Sequence, residues 1–366
     1  MIRRLYIDNY KCFSNFELRL DKLPCSMIIG ANGSGKSTVA EVLSYFSAIG
    51  RGVSNINNIL PKNAQSTLKA EQRTGIITLE IEVGDLSRVW VYSIGVKSDG
   101  GRYRVSTETL NCGEVVVFDR SQLRLSDDVL AMAVIADESQ SVTLVTDFRF
   151  ILNSIYVLRP VPQKMGSMVS TEDSYSLRTD ASNFASWLQR ILISDSEAYG
   201  ALQQYLKCVL VDFANIQFLN TPAEGHVLMV VFNTGTGNPG DVFTLGFDRL
   251  SDGEKCQFIA ASLITLSAHL PNLTVFWDEP DNYITTSEVA YLLPALCNCF
   301  QKRGQLIVSS HSREAIVTFG ENEIISFKRP SHYSPVRQPQ TAQEMRESGF
   351  LTGSLDEALQ NGDAVS

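Results

Sequence analysis

The sequence predicts an α/β fold: a mostly parallel core sheet joined to an antiparallel β-subdomain and a helical insertion. Three observations lead there. A short apolar strand, Ser26 to Ile29, runs into the glycine-rich stretch Gly30 to Gly35 and then into an apolar helix from Lys36 to about Ile49. The last third alternates helix (Gly253 to Ala268), strand (Leu273 to Trp277), helix (Ser287 to Gln301) and strand (Gln305 to Val308), the rhythm of a parallel sheet. Between them, four segments alternate apolar and polar residues with short Gly, Asp, Ser and Asn turns, the pattern of an antiparallel meander.

Taken in order, Leu5 to Ile7 and Phe16 to Leu20 show period-two alternation and open the chain as strands. The meander segments are Gly75 to Val83, Arg88 to Val96, Tyr103 to Leu110 and Glu114 to Phe118. A helical piece is expected within 128–158, and Ser182 to Ile193 and Ala198 to Phe213 have helical spacing. A hairpin of Val227 to Phe232 and Val242 to Phe247 follows. From Ser331 the chain is Pro/Gln/Ser-rich and then acidic, so 331–366 is expected to be a loosely ordered tail.

With 44% hydrophobic and 19% charged residues among 366, the chain is of ordinary globular composition, not disordered or fibrous. Its net charge of -9 does not mark the molecule as a general polyanion binder, although a local basic patch could serve as one. The seven cysteines form no CxxC pair, and no histidine stands at zinc-ligand spacing, which suits inert thiols in a reducing compartment. The apolar stretch after Arg3 and Arg4 is broken by Asp8, Asn9 and Lys11, and Phe258 to Trp277 contains His269, Pro271 and Asn272. Neither reads as a secretory signal or a membrane span, so a cytoplasmic location is expected.

Gly30-Ala31-Asn32-Gly33-Ser34-Gly35-Lys36-Ser37, with Thr38 next, fits G-x-x-x-x-G-K-[ST] and sits in the required strand–loop–helix context. Small residues let backbone N–H groups curl around phosphates at a helix N-terminus. Lys36 would reach the β- and γ-phosphates of ATP, and Ser37 would ligand Mg2+. Thr274 to Glu279 is an apolar strand ending in two carboxylates: Asp278 suits the Mg2+ site, and Glu279 suits a general base acting on water. A strand ending in an acidic turn is common, so this pattern gains its meaning from the loop upstream. Ser251-Asp252-Gly253-Glu254 is, on its own, a capping box that would start any helix. A capped helix end is also an anion site, so a phosphate-binding role is compatible with it. Ile307 to Ser312 is a strand followed by His311, and a lone histidine is more often structural or at the surface than catalytic.

With these four motifs in this order, the chain resembles the RecF/SMC/Rad50-like branch of ABC ATPases, and more narrowly the predicted ATPases called AAA-21, many from genome-maintenance or anti-phage loci. Ile7-Asp8-Asn9-Tyr10-Lys11-Cys12-Phe13 is similar to that group's strand entering an N-F-[RK]-x-F turn, and Leu177 to Ala185 to its L-x-x-D-G-x-N-L-A element. The resemblance implies an ABC-type P-loop NTPase head over 1–328. Its nucleotide-binding core would be 1–60 and 245–328, its β-meander 70–122 and its helical or mixed insertion 123–225. It implies that Ser251, Asp252, Gly253 and Glu254 are the signature that binds the γ-phosphate of a partner copy's nucleotide. His311 would be the switch histidine, and Asp281 and Asn282 a D-loop crossing a homodimer interface. Asp281-Asn282-Tyr283-Ile284 departs from the frequent E-N-x-L-H-P. Gln140 and Gln163 are candidates for the Q-loop; Arg51 is a candidate for the arginine that SMC-type heads place near the phosphate, although a solvated surface arginine is the commoner case.

No heptad array separates the halves, unlike Rad50 or SMC arm proteins, and the stretch after His311 is too short for a Toprim nuclease. The expected function is therefore an ATPase that works as a head-to-tail dimer and regulates a separately encoded effector, a nuclease or toxin, in anti-phage defence. The alternative is a RecF-like DNA-binding clamp in DNA repair, which keeps nucleic acid among the candidate partners. No membrane partner is expected.

Overall fold

In the segment from Ile76 onward every second residue is apolar, and Ile77, Leu79, Ile81 and Val83 are each at most 2% exposed. Such a two-sided pattern makes a half-buried antiparallel strand. The computed structural model describes residues 1–62, 64, 75–85, 87–135, 140–170, 175–194, 196–221, 225–234, 241–270, 272–349 and 351.

The strands are β1 (Ile2–Asp8), β2 (Phe16–Arg19), β3 (Cys25–Gly30), β4 (Ile76–Gly84), β5 (Val89–Asp99), β6 (Arg102–Cys112), β7 (Val115–Asp119), β8 (Ile155–Leu158), β9 (Met168–Val169), β10 (Phe213–Thr221), β11 (Gly225–Asn233), β12 (Val242–Gly246), β13 (Thr274–Asp278), β14 (Gln305–Ser309), β15 (Ile324–Phe327) and β16 (Gln340–Thr341). The helices are α1 (Lys36–Gly50), α2 (Ala131–Val134), α3 (Gln140–Asn153), α4 (Phe184–Ser194), α5 (Ser196–Val209), α6 (Asp252–His269), α7 (Thr286–Phe300), α8 (Arg313–Ile316) and α9 (Ala342–Glu347). They pack as two units: Met1–Tyr156, Asn272–Phe276 and Gln305–Ser366 form the first, and Val157–Pro271 with Trp277–Gly304 the second.

The first unit holds a six-stranded antiparallel sheet of order β2-β1-β4-β5-β6-β7. The opening strands expected in the nucleotide core thus extend the meander, with Leu5 opposite Ile81 and Arg4 opposite Glu82. Apolar side chains line one face, while on the other Arg4 pairs with Glu17, Glu80 and Glu82, a complement that fixes the register.

A second sheet has the order β16-β15-β3-β14-β13-β8. β3 lies parallel to both β14 and β15, and every residue of these three strands is buried, as a sheet covered on both faces requires. Gln305 is fully buried. Its amide accepts from the Ile2 N–H (2.7 Å) and donates to the Ile2 and Leu23 carbonyls, which satisfies its polar atoms and ties β1 to β14. β16 adds to β15 in the antiparallel sense, and a capping box of Thr341 and Glu344 starts α9. Much of the stretch expected to be a loose tail is therefore folded through residue 349, because Val336, Ala342 and Met345 are apolar anchors, all at most 4% exposed. Residues 352–366 lie outside the described residues.

In the second unit β10, β11 and β12 form an antiparallel sheet, with β9 also pairing to β11. The predicted helix from Ala198 ends at Val209, and Phe213 instead opens β10. Phe184, Phe247, Phe258 and Phe213 make an aromatic chain with centroid separations of 5.2, 5.3 and 6.1 Å, which buries one face of α6. No described helix is long and apolar enough to cross a membrane.

Candidate functional site

The loop from Gly30 to Gly35 is built on glycine for steric reasons that can be measured. A Cβ at Gly30 would meet the Phe327 carbonyl oxygen at 2.6 Å, and one at Gly35 would meet Phe13 Cζ at 2.7 Å. Gly33 and Gly35 also take φ of +80° and +102°, the left-handed region where side chains strain the backbone. Lys36 is buried, 6% exposed, with Nζ donating to the carbonyls of Gly30 (2.6 Å) and Ala31 (3.3 Å). Its ammonium is thus folded back over the loop. Ser34 is 1% exposed, and its Oγ has no hydrogen-bond partner among the described residues. A buried polar atom without a partner costs roughly 1–3 kcal/mol, which an anion's shell of acceptors or an ordered water would recover. Ser37 at the start of α1 is exposed, and Thr38 is half-buried. In the same unit Ser309 of β14 sits beside Ile28 of β3, so His311 and the loop both follow the carboxyl ends of these neighbouring parallel strands. His311 is itself exposed.

In the second unit Asp278 ends β13 and is 3% exposed, with Arg159 Nε 3.9 Å from its carboxylate. Glu279 follows at φ +53°, so the chain turns sharply between the two carboxylates. Asn282 Nδ2 donates to Glu279 Oε2 at 2.8 Å and holds that carboxylate. Ser251 and Glu254 form the predicted capping box: the Ser251 side chain accepts from the Glu254 N–H, and the Glu254 carboxylate accepts from the Ser251 N–H at 2.7 Å. The Gly253 Cβ position lies 3.1 Å from the Tyr283 carbonyl oxygen, so Gly253 permits a close approach by the Pro280–Tyr283 turn that carries Asp281 and Asn282. Signature, turn and carboxylates are therefore gathered within this unit.

Gln163, one of the two Q-loop candidates, lies on a turn against α6. Its Nε2 donates to the Asp252 carboxylate, and the adjacent Pro162 carbonyl accepts from Lys255 Nζ at 3.0 Å, anchoring this turn on α6. The Gln140 side chain lies outside the described residues. Arg51 is the C-terminal cap of α1. Two arginines escaped sequence reading: Arg159 beside Asp278, and Arg329, which bonds to the Gly33 carbonyl. No motif surrounds either.

These donors fit a magnesium nucleotide. In the first unit the loop offers glycine cradles, N–H groups and an ammonium suited to phosphates, and Ser37 there and Asp278 in the second unit are each a hard oxygen donor of the type Mg2+ takes. Among the described residues no group of three or more His, Cys, Asp or Glu could hold a metal ion.

The family profile described as "AAA domain, putative AbiEii toxin, Type IV TA system" (AAA_21) matches residues 25–317. The chain belongs to this family. Among curated proteins, a 52-residue stretch is 44% identical to the DNA replication and repair protein RecF of Rickettsia bellii and 42% identical to that of Rickettsia canadensis. These alignments span 14% of this chain and 14% of each RecF protein. Solved structures cover nearly the whole AAA_21 chain. The SMC head bound to the C-winged helix domain of ScpA aligns with TM-score 0.58 and 16% identity, over 94% of this chain and 99% of that one. An SMC head with extended coiled coil bound to the C-terminal domain of ScpA, derived from Pyrococcus furiosus, aligns with TM-score 0.54 and 12% identity over 95% and 98%. The fold is that of an SMC head domain, with its mixture of parallel and antiparallel sheets.

Proposed function

We propose that this AAA_21 protein hydrolyses ATP as a head-to-tail homodimer and that the cycle of closure and release regulates a separately encoded effector. The observation that carries the reading is the capped start of α6, where Ser251 and the Gly253 N–H stand at a helix N-terminus suited to a phosphate. Within one copy, Lys36 and the loop N–H groups bind the phosphates. Ser37 and, from the second unit, Asp278 are each a candidate oxygen ligand of Mg2+, which would supply charge neutralisation to the phosphates. Glu279, oriented by Asn282, polarises the attacking water, and His311 contacts the γ-phosphate. Ser251 and Gly253 of a second copy complete the site, so ATP binding favours the dimer and hydrolysis releases it. Asp252 puts a carboxylate near that incoming phosphate, and its hydrogen bond from Gln163 disperses part of the repulsion. The effector would be a nuclease or toxin in anti-phage defence; the family's description, which names a toxin and a TA system, supports only the toxin part of this reading.

A second reading, a DNA-binding clamp for repair, is favoured by the short RecF match. ATP turnover with and without duplex DNA, with Lys36→Ala as the blank, separates the two. Basal turnover indifferent to DNA supports the effector-regulating ATPase, and strong stimulation by DNA supports the clamp. Turnover no higher than the blank, alone and with co-purified partners, contradicts both.

A further inference from the structure

The residues after β15 do not leave the nucleotide loop; they fold onto it. Arg329 Nη1 donates to the Gly33 carbonyl at 3.2 Å, 296 positions away in sequence. Two further bonds stay within its own turn: Nη2 donates to the His332 carbonyl at 2.7 Å and Nε to the Ser334 carbonyl at 3.0 Å. That turn is closed by the Ser334 N–H to the Ser331 carbonyl (3.1 Å) and by the Ser331 and Ser334 hydroxyls (2.9 Å). Its base is fixed by the Arg337 N–H to Lys328 and by the Val336 N–H to Cys12, with Val336 buried. His332 Nε2 lies 3.7 Å from the Gly33 Cβ position, so the turn packs against the loop as well as bonding to it.

The geometry points to Arg329 as a positioning residue of the nucleotide site, with the turn of residues 328–337 forming an outer wall of the phosphate loop. The Gly33 carbonyl and the Ser34 N–H belong to one planar peptide. Arg329 holds its oxygen, and the Ala31 carbonyl accepts its N–H at 3.1 Å, so the unit is clamped at both ends. Without the arginine that clamp is half lost. Gly33 adopts either sign of φ at little cost, so the peptide is then free to flip and turn loop N–H groups away from the phosphates. A guanidinium spreads donors in a rigid fork and can serve three carbonyls at once, whereas a lysine ammonium is a point donor that cannot reproduce the arrangement. The role is in binding. The loop contacts phosphate in ground and transition states alike, so its disorder raises KM more than it lowers kcat.

The inference rests on reading the Gly30–Ser37 loop as an ATP site, and the test separates the two. Full-length wild type, Arg329→Ala and Arg329→Lys are compared for affinity toward a fluorescent ATP analogue with Mg2+, for KM and kcat, and for thermal midpoint without nucleotide. Arg329→Ala is expected to weaken affinity and raise KM about five- to tenfold, the net worth of one ordinary hydrogen bond, with little change in kcat. Arg329→Lys is expected to recover less than half of that loss, with both nucleotide-free midpoints close to wild type. Wild-type affinity in Arg329→Ala overturns the inference. So does full recovery by lysine, which would reduce the effect to charge, and so does a loss that tracks a fall in midpoint in both variants, which would make the residue merely structural. Wild type that binds no nucleotide sinks the ATP-site reading itself.

Discussion

Gly35→Ala tests the described path of the phosphate loop with one methyl group. Gly35 has φ +102°, and its missing Cβ would lie 2.7 Å from Phe13 Cζ, 2.9 Å from Phe13 Cε1 and 3.3 Å from Cys12 Sγ. Phe13 cannot yield easily, because it is fully buried and stacks on Phe16 with centroids 4.1 Å apart. The left-handed backbone costs an alanine about 1–2 kcal/mol. Overpacking against a fixed ring adds about 1–3 kcal/mol, so the sum is roughly 2–5 kcal/mol. The chain meets that cost by losing stability or by moving the loop, and moving it would disperse the N–H groups proposed to bind phosphate. Urea unfolding followed by circular dichroism, together with affinity for an ATP analogue, reads both routes. Phe13→Leu removes the two ring atoms that the new methyl would strike. The double variant should therefore be more stable than the sum of the single changes by about 1–3 kcal/mol. Gly35→Ala with both the wild-type unfolding midpoint and wild-type affinity would refute the loop geometry.

Ser251→Ala removes the side-chain half of the α6 capping box and should destabilise the protein by about 1 kcal/mol, read by urea unfolding. It should also lower ATP turnover by far more than that loss of folded protein accounts for. Turnover falling only in step with stability would leave Ser251 a cap and nothing else. Glu108 is fully buried; burial raises its pKa, against the opposing pull of the Met132 and Ala131 N–H groups, the Tyr92 hydroxyl and Arg120. Between the ordinary glutamate value of about 4.3 and the higher folded value, the native state holds more protons than the unfolded one. Stability therefore falls as pH rises through that window, and Glu108→Gln should flatten this part of a urea-midpoint profile. An identical slope in the variant would contradict the assignment.

The parts of the protein legible in its sequence are those whose chemistry is contiguous. Strand, glycine loop, Lys36 and Ser37 fall within a dozen or so positions, and a buried strand ending at Asp278 and Glu279 is visible in six letters. The meander was legible for the same reason, since alternation in each strand reports one buried face. What stayed hidden depends on partners distant along the chain. The Gln163 contact with Asp252 spans 89 positions and that of Arg329 with Gly33 spans 296, and no local pattern foreshadows either. The apolar anchors at Val336, Ala342 and Met345 are too sparse among Pro, Gln and Ser to outweigh composition, although each is buried. β1 reads as a strand from its alternation, but only pairing with β4 decides which sheet it joins.

The most direct test of the account is the solution mass of the Glu279→Gln chain, in which the candidate base is removed while the groups that bind nucleotide remain. The account predicts a monomer without nucleotide and a dimer with ATP and Mg2+, with Ser251→Ala in the same background reducing the dimer fraction. A chain that binds ATP but stays monomeric would contradict the head-to-tail site.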